Sequence, residues 1–326
     1  MQGRHGSPVV SIIIPAYQTA AYIGETLDSV FAQTFTDFEV IVVNDGSPDT
    51  PELERAVQPF LSKIAYLTQP NGGPSAARNA ALAVARGEFI AFLDGDDIWY
   101  SHYLERQLAV LREGAFDLIY ANSELFGQDA PQGKTVMDVN PSRGAVTVES
   151  LVDETCIVVT SCTIARREPV MRCGMFDESL RFCEDLDLWI RLALSGARLT
   201  YQETILARRR LHGASQTSKV VSCLKGVFPV YDKLQKHPDA TSSVLAAVER
   251  MRSIYLLNLS RYLGKQYLRE RKYRDARREF ESANRLNPSP KFRAIALMLR
   301  ICPPLVLLAD QISEGRMRRR KTRQSA

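Results

Sequence analysis

The sequence lacks the usual marks of secreted, zinc-binding and membrane-spanning proteins. Its six cysteines form no C-x-x-C pair and no dense framework, which favours reduced thiols over disulfides or zinc ligands. No run of about 18 apolar residues could span a bilayer. The N-terminal MQGRHGSPVV has no apolar core of a signal peptide. We therefore expect a protein that stays in the cytoplasm.

Two nucleotide-binding fingerprints are also missing after the first predicted strand. The G-x-G-x-x-G of dinucleotide oxidoreductases should follow that strand, but Pro15-Ala16-Tyr17 stands there instead. A nucleotidyltransferase would need a glycine-rich, basic loop at the same place, and the sequence has none. These absences argue against both enzyme classes.

Positive charge is concentrated near the C-terminus. The net charge is +5, and six basic residues lie between Arg316 and Arg323, so the rest of the chain is close to neutral. This tail has no interleaved aromatics, which argues against nucleic acid as a partner. The apolar segment 292–312 is interrupted by Arg300 and by Pro303-Pro304. We expect it to lie peripherally on an anionic membrane surface; the alternative is a docked helix followed by a solvated tail.

The most informative stretch is GEFIAFLDGDDIW at 87–99. Its apolar run is typical of a buried strand, and Asp94, Asp96 and Asp97 follow directly. Carboxylates at the end of a strand suit Mg²⁺ or Mn²⁺, whose remaining ligands are often substrate phosphates. The pattern therefore indicates a metal-bridged diphosphate ligand. The alternative is an acidic turn that caps a helix beginning near Ile98.

Strand and helix patterns alternate through the first half of the chain, which predicts a mostly parallel α/β sheet. Ligands of such sheets bind beyond the carboxyl ends of the strands. Three predicted strand ends would form one rim and the nucleotide site: Pro15-Ala16-Tyr17, Asn44-Asp45-Gly46 and Asp94-Gly95-Asp96. The predicted strands are 9–14, 38–43, 64–68, 89–93, 158–165 and 199–206; the predicted helices are 22–31, 51–62, 75–86 and 183–198; a polar loop at 122–143 is a candidate acceptor lid.

The second half of the chain is predicted to be helical. Residues from Leu263 to Pro288 match the spacing of one tetratricopeptide repeat, although Ser260 stands where an aromatic is expected. An ordinary helical hairpin is the alternative, because a single repeat lacks neighbours to bury its core. We expect a catalytic domain at 1–217, a helical region at 218–290, and an apolar segment with the basic tail at 291–326.

Five stretches together, in this order, resemble the motifs of family 2 glycosyltransferases with the GT-A fold: VSIIIPAY, VIVVNDGS, GGPSAARNAALAVARGEFIAFLDGDDIW, CEDLDLWIRLALSGA and RRRLHGAS. They cover about residues 9–216. The resemblance implies a GT-A-type α/β fold with a helical C-terminal region. It also implies a nucleotide-diphosphate-sugar donor, most simply a UDP-sugar, a divalent Mn²⁺ or Mg²⁺ ion, and inversion at the anomeric carbon.

The resemblance assigns the donor side of the site. Pro15, Ala16 and Tyr17 would line the nucleoside, and Asp45 would accept a hydrogen bond from the base. Asn44 stands where many relatives have a second acid, so which of the two positions reads the base stays open. Arg78 would lie near the nucleotide and pair with the acidic rim or the diphosphate; the alternative is an exposed helix arginine.

The resemblance also assigns the metal and the reaction centre. Asp96 would be the direct metal ligand, with Asp94 on the ribose or a metal-bound water, and Asp97 would cap the next helix. His212 matches a histidine that approaches the diphosphate or the metal. Three arginines before it, at 208–210, are candidates for neutralising the diphosphate.

The Glu-Asp pair of the family corresponds to Glu184 and Asp185. Asp185 would be the general base and Glu184 would orient the substrates. The alternative is that these acids only stabilise the N-terminus of a helix.

Two functions follow from these assignments. The first is an inverting glycosyltransferase of surface glycan assembly, acting on a glycan or lipid-linked acceptor. The alternative is a catalytically degenerate protein that binds nucleotide-sugars, or acts through its helical region, and does not turn the donor over.

Overall fold

A computed structural model describes residues 6–213 and 219–309 of the chain. Its contacts divide the chain into two compact units. The first combines Met1–Ser218 with Pro229–Ala247, and the second combines Lys219–Phe228 with Val248–Ala326. The domain boundaries at 217 and 290 stay predictions.

Eight strands form one mixed sheet in the order β3-β2-β1-β4-β7-β6-β8-β5. The first four are parallel, as is the pair β6 and β8, whereas β7 and β5 run antiparallel to their neighbours. This confirms the predicted mostly parallel α/β sheet. The strands are β1 (Val10–Ala16), β2 (Phe38–Asp45), β3 (Ala65–Gln69), β4 (Phe89–Phe92), β5 (Ile98–Trp99), β6 (Leu118–Phe126), β7 (Thr163–Arg166) and β8 (Leu199–Arg210).

Helices flank the sheet and make up the C-terminal region. They are α1 (Ile23–Phe31), α2 (Thr50–Val57), α3 (Pro74–Val84), α4 (Tyr103–Gly114), α5 (Val136–Val139), α6 (Val148–Val152), α7 (Arg167–Arg172), α8 (Glu184–Leu194), α9 (Val220–Gln235), α10 (Ser242–Arg269), α11 (Tyr273–Leu286) and α12 (Pro290–Ile301). A 3₁₀ turn, Thr160–Cys162, leads into β7.

Strand β1 lies at the centre of the parallel part and sets the position of the rim. Its residues Ile12, Ile13 and Ile14 are fully buried, because helices cover both faces of such a sheet. Ala16 pairs with Asn44 of β2, and Ile13 pairs with Phe92 of β4. The carboxyl ends of β1, β2 and β4 therefore lie side by side, with a loop following each of them.

The predicted helix beginning near Ile98 is wrong. Ile98 and Trp99 instead form β5, which pairs with Arg208 and Ala207 of β8, and α4 begins only at Tyr103. A pairing with a distant strand thus overrides the local acidic cap signal. Asp97 consequently caps no helix.

Three other predicted elements have different bounds. Segment 122–143 is not all loop, because β6 continues to Phe126 and α5 is held by a capping box on Thr135. The predicted strand 158–165 is shorter, since Thr160–Cys162 turns before β7 begins. Strand β8 is longer than predicted and runs through the three arginines to Arg210.

The second unit contains a helical hairpin followed by α12. Gly264 of α10 faces Phe280 of α11 so closely that a Cβ atom on the glycine would lie 3.1 Å from the ring. Leu268, Phe280 and Leu299 are buried together at the centre of this unit. The basic tail from Arg316 lies outside the described residues. Within the described part of the chain we find no helix with the length and hydrophobicity that a bilayer span requires.

Candidate active site

Asp45 lies at the end of β2 and is almost fully buried. One carboxylate oxygen accepts hydrogen bonds from Gln69 Nε2 at 2.7 Å and Gly72 N at 2.8 Å, and the other accepts from Gly73 N at 2.8 Å. A carboxylate has about four acceptor positions, so three protein donors leave one for a ligand. The side chain of Asn44 is used locally instead, on Ser47 N and Thr50 Oγ1. Asp45 therefore has the spare acceptor that reading a base requires.

A hydrogen-bond network joins the loop after β2 to the loop after β1. Ser47 Oγ accepts from Gln18 N at 2.7 Å and donates to Asp49, whose other oxygen accepts from Ala20 N at 3.1 Å. These bonds fix the loop that carries Tyr17, which is exposed at the rim. Asp49 was not among the predicted site residues, because it lies two residues beyond the end of the VIVVNDGS stretch.

Gly95 brings the loop after β4 directly under the end of β1. A Cβ atom at this position would lie 3.1 Å from Thr19 Oγ1 and 3.2 Å from the carbonyl oxygen of Pro15. Contacts this close favour glycine, because a larger residue would push Thr19 or the Pro15 carbonyl away. The structure thus brings together Pro15, Ala16 and Gly95, as predicted.

Arg78 is the buried centre of the site and not an exposed helix arginine. Its guanidinium donates to Asp94 Oδ1 at 2.8 Å and to Glu184 Oε1 at 2.9 Å, and it lies 5.3 Å from the centre of the Phe176 ring. Burial alone would lower the pKa of Arg78, but Asp94 and Glu184 raise it, so the side chain stays charged. Arg78 therefore joins the Asp-Gly-Asp loop to the Glu-Asp pair.

Glu184 and Asp185 begin α8, where the helix dipole favours negative charge. Glu184 is buried, and burial followed by the charge of Asp185 raises the pKa of Glu184, an effect that Arg78 opposes. Asp185 is only partly buried, and its Oδ2 accepts a hydrogen bond from Thr160 Oγ1 at 3.0 Å. Of the two carboxylates, Asp185 is the more accessible.

The 3₁₀ turn before β7 contributes two polar contacts that no sequence motif indicated. Thr160 contacts Asp185, and Ser161 Oγ accepts from the backbone N–H of Asp94 at 3.1 Å. The turn thus touches both acidic motifs. Its sequence, Thr-Ser-Cys, has no recognisable pattern, so only the fold could identify it.

Asp96 and His212 are in direct contact, with Asp96 Oδ2 2.9 Å from His212 Nε2. Burial and Asp94 raise the pKa of Asp96, whereas His212 opposes this rise. Asp97 is buried and accepts from the backbone N–H of Arg210 at 2.7 Å, and burial, followed by the charges of Asp96 and Asp94, raises its pKa to about 8. Asp97 therefore holds the end of β8 in place.

The Arg210 side chain is held between the loop after β4 and the end of β8 and does not point freely towards the rim. Its side chain donates to the carbonyl oxygen of Asp96 at 2.9 Å and to Glu25 at 2.5 Å. It also packs over the rings of Tyr22 and Phe126, at 4.6 and 4.3 Å from their centres. These contacts position Asp96 and the residues that follow β8, including His212.

The side chains available as metal ligands suit a divalent cation only in part. No cluster of three or more His, Cys, Asp or Glu side chains within residues 6–213 and 219–309 is arranged to hold a metal. The predicted set of Asp96, Asp94 and His212 is therefore not assembled, because Asp94 pairs with Arg78 instead. Asp96 and His212 remain as an oxygen and nitrogen pair, which fits an ion whose other ligands come from a diphosphate and water.

Taken together, the site combines an accessible carboxylate, a buried cation and a carboxylate–imidazole pair at one edge of a parallel sheet. A partly exposed Asp185 can accept a proton from a hydroxyl group. The carboxylates of Asp94, Asp96, Glu184 and Asp185 outnumber the guanidinium of Arg78, which pairs with two of them, so this edge favours a cation that brings an anionic ligand with it. Such an arrangement is suited to transferring a group from a diphosphate to a hydroxyl.

Comparisons with known proteins agree with this chemistry. The model of the family "Glycosyl transferase family 2" matches residues 11–174. The chain is 32% identical over 223 residues to an uncharacterized glycosyltransferase of Rickettsia prowazekii (strain Madrid E), which covers 67% of this chain and 69% of that protein. A similar match to a Rickettsia felis glycosyltransferase covers only 36% of its length. This chain is also 30% identical over 234 residues to the putative teichuronic acid biosynthesis glycosyltransferase TuaG of Bacillus subtilis (strain 168). The match covers 70% of this chain and 89% of that protein.

Solved structures share the fold at low sequence identity. TarS 1–349 of S. aureus, in complex with UDP-GlcNAc, superposes with a TM-score of 0.60 and 20% identity over 97% of this chain and 92% of that one. The mannosyltransferase PcManGT of Pyrobaculum calidifontis, in complex with GDP-Man and Mn²⁺, gives a TM-score of 0.60 at 18% identity over 94% and 87% of the two chains. The predicted GT-A-type fold is therefore confirmed. From its sequence motifs, its family match and its relatives, the chain belongs to glycosyl transferase family 2.

Proposed function

We propose that the protein is an inverting glycosyltransferase that moves a sugar from a nucleotide diphosphate, most simply UDP, to an acceptor hydroxyl. The observation that carries the proposal is the buried Arg78 bridge, which holds Asp94 of the donor rim against Glu184 of the acidic helix. The two motifs are far apart in sequence but share one cation. Donor and acceptor chemistry would thereby meet at a single place.

The donor nucleoside would lie on the rim formed by Pro15, Ala16 and Tyr17, with its base against the spare acceptor of Asp45. A carboxylate acceptor suits the N–H of uracil or of guanine. A UDP-GlcNAc complex of TarS and a GDP-Man complex of PcManGT have the same fold, so both bases must be tested. UDP is our first choice because the family motifs most simply imply a UDP-sugar donor.

Asp185 is the proposed general base. It would remove the proton of the acceptor hydroxyl while the oxygen attacks the anomeric carbon and the nucleoside diphosphate leaves from the opposite face. Thr160 would keep the carboxylate oriented through its hydrogen bond. Glu184, held by Arg78, would orient a substrate and would not exchange protons.

Asp96 and His212 would hold Mn²⁺ or Mg²⁺, with Asp94 next to them near the ribose or a metal-bound water. A divalent ion supplies charge stabilisation to the departing diphosphate when it is bound. Arg210 and Asp97 would keep this pair in register through their contacts with the ends of β4 and β8.

The acceptor would be a glycan or a lipid-linked glycan, in surface glycan assembly at the inner face of the cytoplasmic membrane. Support for a role in glycan assembly comes from TuaG, a putative teichuronic acid biosynthesis glycosyltransferase with 30% identity over 234 residues.

The experiment is nucleotide release from a panel of UDP-, GDP- and dTDP-sugars with Mn²⁺ or EDTA. Wild type is compared with Asp96→Ala, with Asp185→Asn, and with the control Glu52→Gln, whose carboxylate is exposed on α2 and pairs only with Arg55. We expect metal-dependent release from one donor, lost in both site variants and kept in the control. Binding of a donor without any release, even with a crude acceptor extract, would instead support the degenerate protein.

A further inference from the structure

The last described helices expose large apolar side chains to solvent. Leu297 and Ile301 of α12 are 56% and 69% exposed, and Leu305 and Leu308 beyond them are each more than half exposed. Residues spaced by three or four positions share one face of a helix. Leu297 and Ile301 therefore form an exposed apolar row on α12. Leu305 and Leu308 lie on a separate helical turn at 303–309, which begins after the non-helical Cys302.

The opposite side of α12 is the one that holds the second unit together. Phe292, Ile295, Ala296 and Leu299 pack with Leu268 and Phe280 of the preceding helices. One apolar side of α12 therefore already faces the core of the second unit, and the exposed row lies on its other side. Helix α12 has two apolar sides, of which one already has a partner.

Positive charge borders this row. Arg293 and Arg300 lie four and three residues from Leu297, which places them along one edge of it. Between Ser282 and Ala309 the sequence has four basic residues and no acidic residue. Six further basic residues follow between Arg316 and Arg323.

We infer that α12 and the turn after it form the surface with which this protein binds an anionic lipid bilayer. The exposed leucine and isoleucine side chains would enter the acyl boundary, and the arginines would contact acidic headgroups. An apolar face combined with a basic cluster supplies the two signals that stable peripheral binding needs. The inference rests on the second unit, and it would stand even if the donor or acceptor proposed above were wrong.

The bilayer fits better than a second copy of the chain. A self-associating face must meet its own charges across a two-fold axis, and the charged residues between positions 282 and 309 are all basic. Like charges placed opposite each other oppose association, whereas anionic headgroups attract them. Charge complementarity therefore selects the lipid surface.

The test is flotation of the full chain with phosphatidylcholine vesicles that contain or lack phosphatidylglycerol. We expect binding only to the anionic vesicles and weaker binding at high salt. The double variant Leu297→Gln/Ile301→Gln should lose about tenfold in vesicle affinity or more, since each change removes a side chain that would be buried in lipid. Replacing the six basic residues of the tail should also weaken binding about tenfold or more.

A matched control removes equivalent apolar side chains from the first unit. Leu61 and Val84 are exposed to a similar degree, so Leu61→Gln/Val84→Gln should bind vesicles like the wild type. Nucleotide release in solution, without vesicles, should be the same in both double variants and reports whether the catalytic proposal holds independently. Equal binding by both double variants, or binding that ignores phosphatidylglycerol, would overturn the inference. If the wild-type chain bound no vesicles and the α12 variant differed from it in oligomeric state, the inference would also be overturned. The face would then be assigned to a second copy of the chain.

Discussion

Replacing Arg78 by methionine should destabilise the fold far more than a surface arginine would. The change removes the guanidinium that is hydrogen-bonded to Glu184, whose side chain is 8% exposed, and leaves that carboxylate buried. Breaking a buried ion pair from one side typically costs about 3–5 kcal/mol. Asp94 contributes less because its side chain is 39% exposed and can be hydrated. We therefore expect Arg78→Met to lower the free energy of unfolding by about 3 kcal/mol or more.

The control is Arg86→Met, which removes two hydrogen bonds from a surface guanidinium to one carboxylate oxygen of Glu39. The side chain of Arg86 is 69% exposed, so this change should cost less than about 1 kcal/mol. Urea unfolding followed by circular dichroism measures both variants. Adding Glu184→Gln to Arg78→Met should restore about 2 kcal/mol in a double-mutant cycle, because the uncompensated charge is gone. Equal losses for the two arginine variants, with no coupling to Glu184, would refute the buried bridge.

The pH dependence of Arg78→Met gives an independent check. Burial and Asp185 raise the pKa of Glu184, and removing Arg78 takes away the cation that opposes this rise. Above the ordinary glutamate pKa, Glu184 would then keep its proton in the folded variant, whereas it has lost it in the unfolded chain. The stability of the variant should fall as the pH rises above the ordinary glutamate pKa, so the deficit relative to wild type should be smaller at about pH 5 than at about pH 8. A deficit that grows towards acid would contradict this reasoning.

Three further perturbations test other parts of the account. Asp49→Ala removes two bonds that fix the loop with Tyr17, each worth about 1 kcal/mol, and should weaken UDP binding about fivefold or more by calorimetry while the fold persists. Gly46→Ala should destabilise the chain in thermal unfolding, because the glycine has φ +59° and a Cβ would lie 2.6 Å from a backbone nitrogen; Gly24→Ala, with open space in α1, should not. Hydrogen bonds from the Ser179 hydroxyl and, to a lesser extent, from Lys233 lower the pKa of Asp177 to about 2. Asp177→Asn should therefore be less stable than wild type above about pH 4, and this difference should disappear as the pH falls towards 2.

The sequence allowed the rim to be predicted because parallel strands place their carboxyl ends on one edge. Asp45 and Asp94 each follow a buried strand, so their meeting needs no knowledge of distant contacts. Arg78 was correctly expected to pair with the acidic rim. Its contact with Glu184 joins residues 106 positions apart, and a separation of that size leaves no local signal.

Local signals failed where a distant strand competed with them. Three aspartates before Ile98 are a strong helix start, yet β8 pairs with Ile98 and Trp99 and delays the helix to Tyr103. Asp97 is then needed to hold the end of β8. Pairing with β6 extends β8 through Arg209 and Arg210 and places the Arg210 side chain over Phe126, which spacing alone could not indicate.

The central claim is that Asp185 acts in the reaction and not in binding the donor. It is tested most directly by measuring, in Asp185→Asn, both the affinity for UDP by calorimetry and nucleotide release from the preferred UDP-sugar. We expect UDP affinity within about twofold of wild type, because Asp185 is hydrogen-bonded to Thr160, whereas the nucleobase is assigned to Asp45. We expect a loss of release of about a hundredfold or more, because the proton acceptor is gone. Release at the wild-type rate, or a parallel loss of UDP binding, would contradict the assignment of Asp185 as the base.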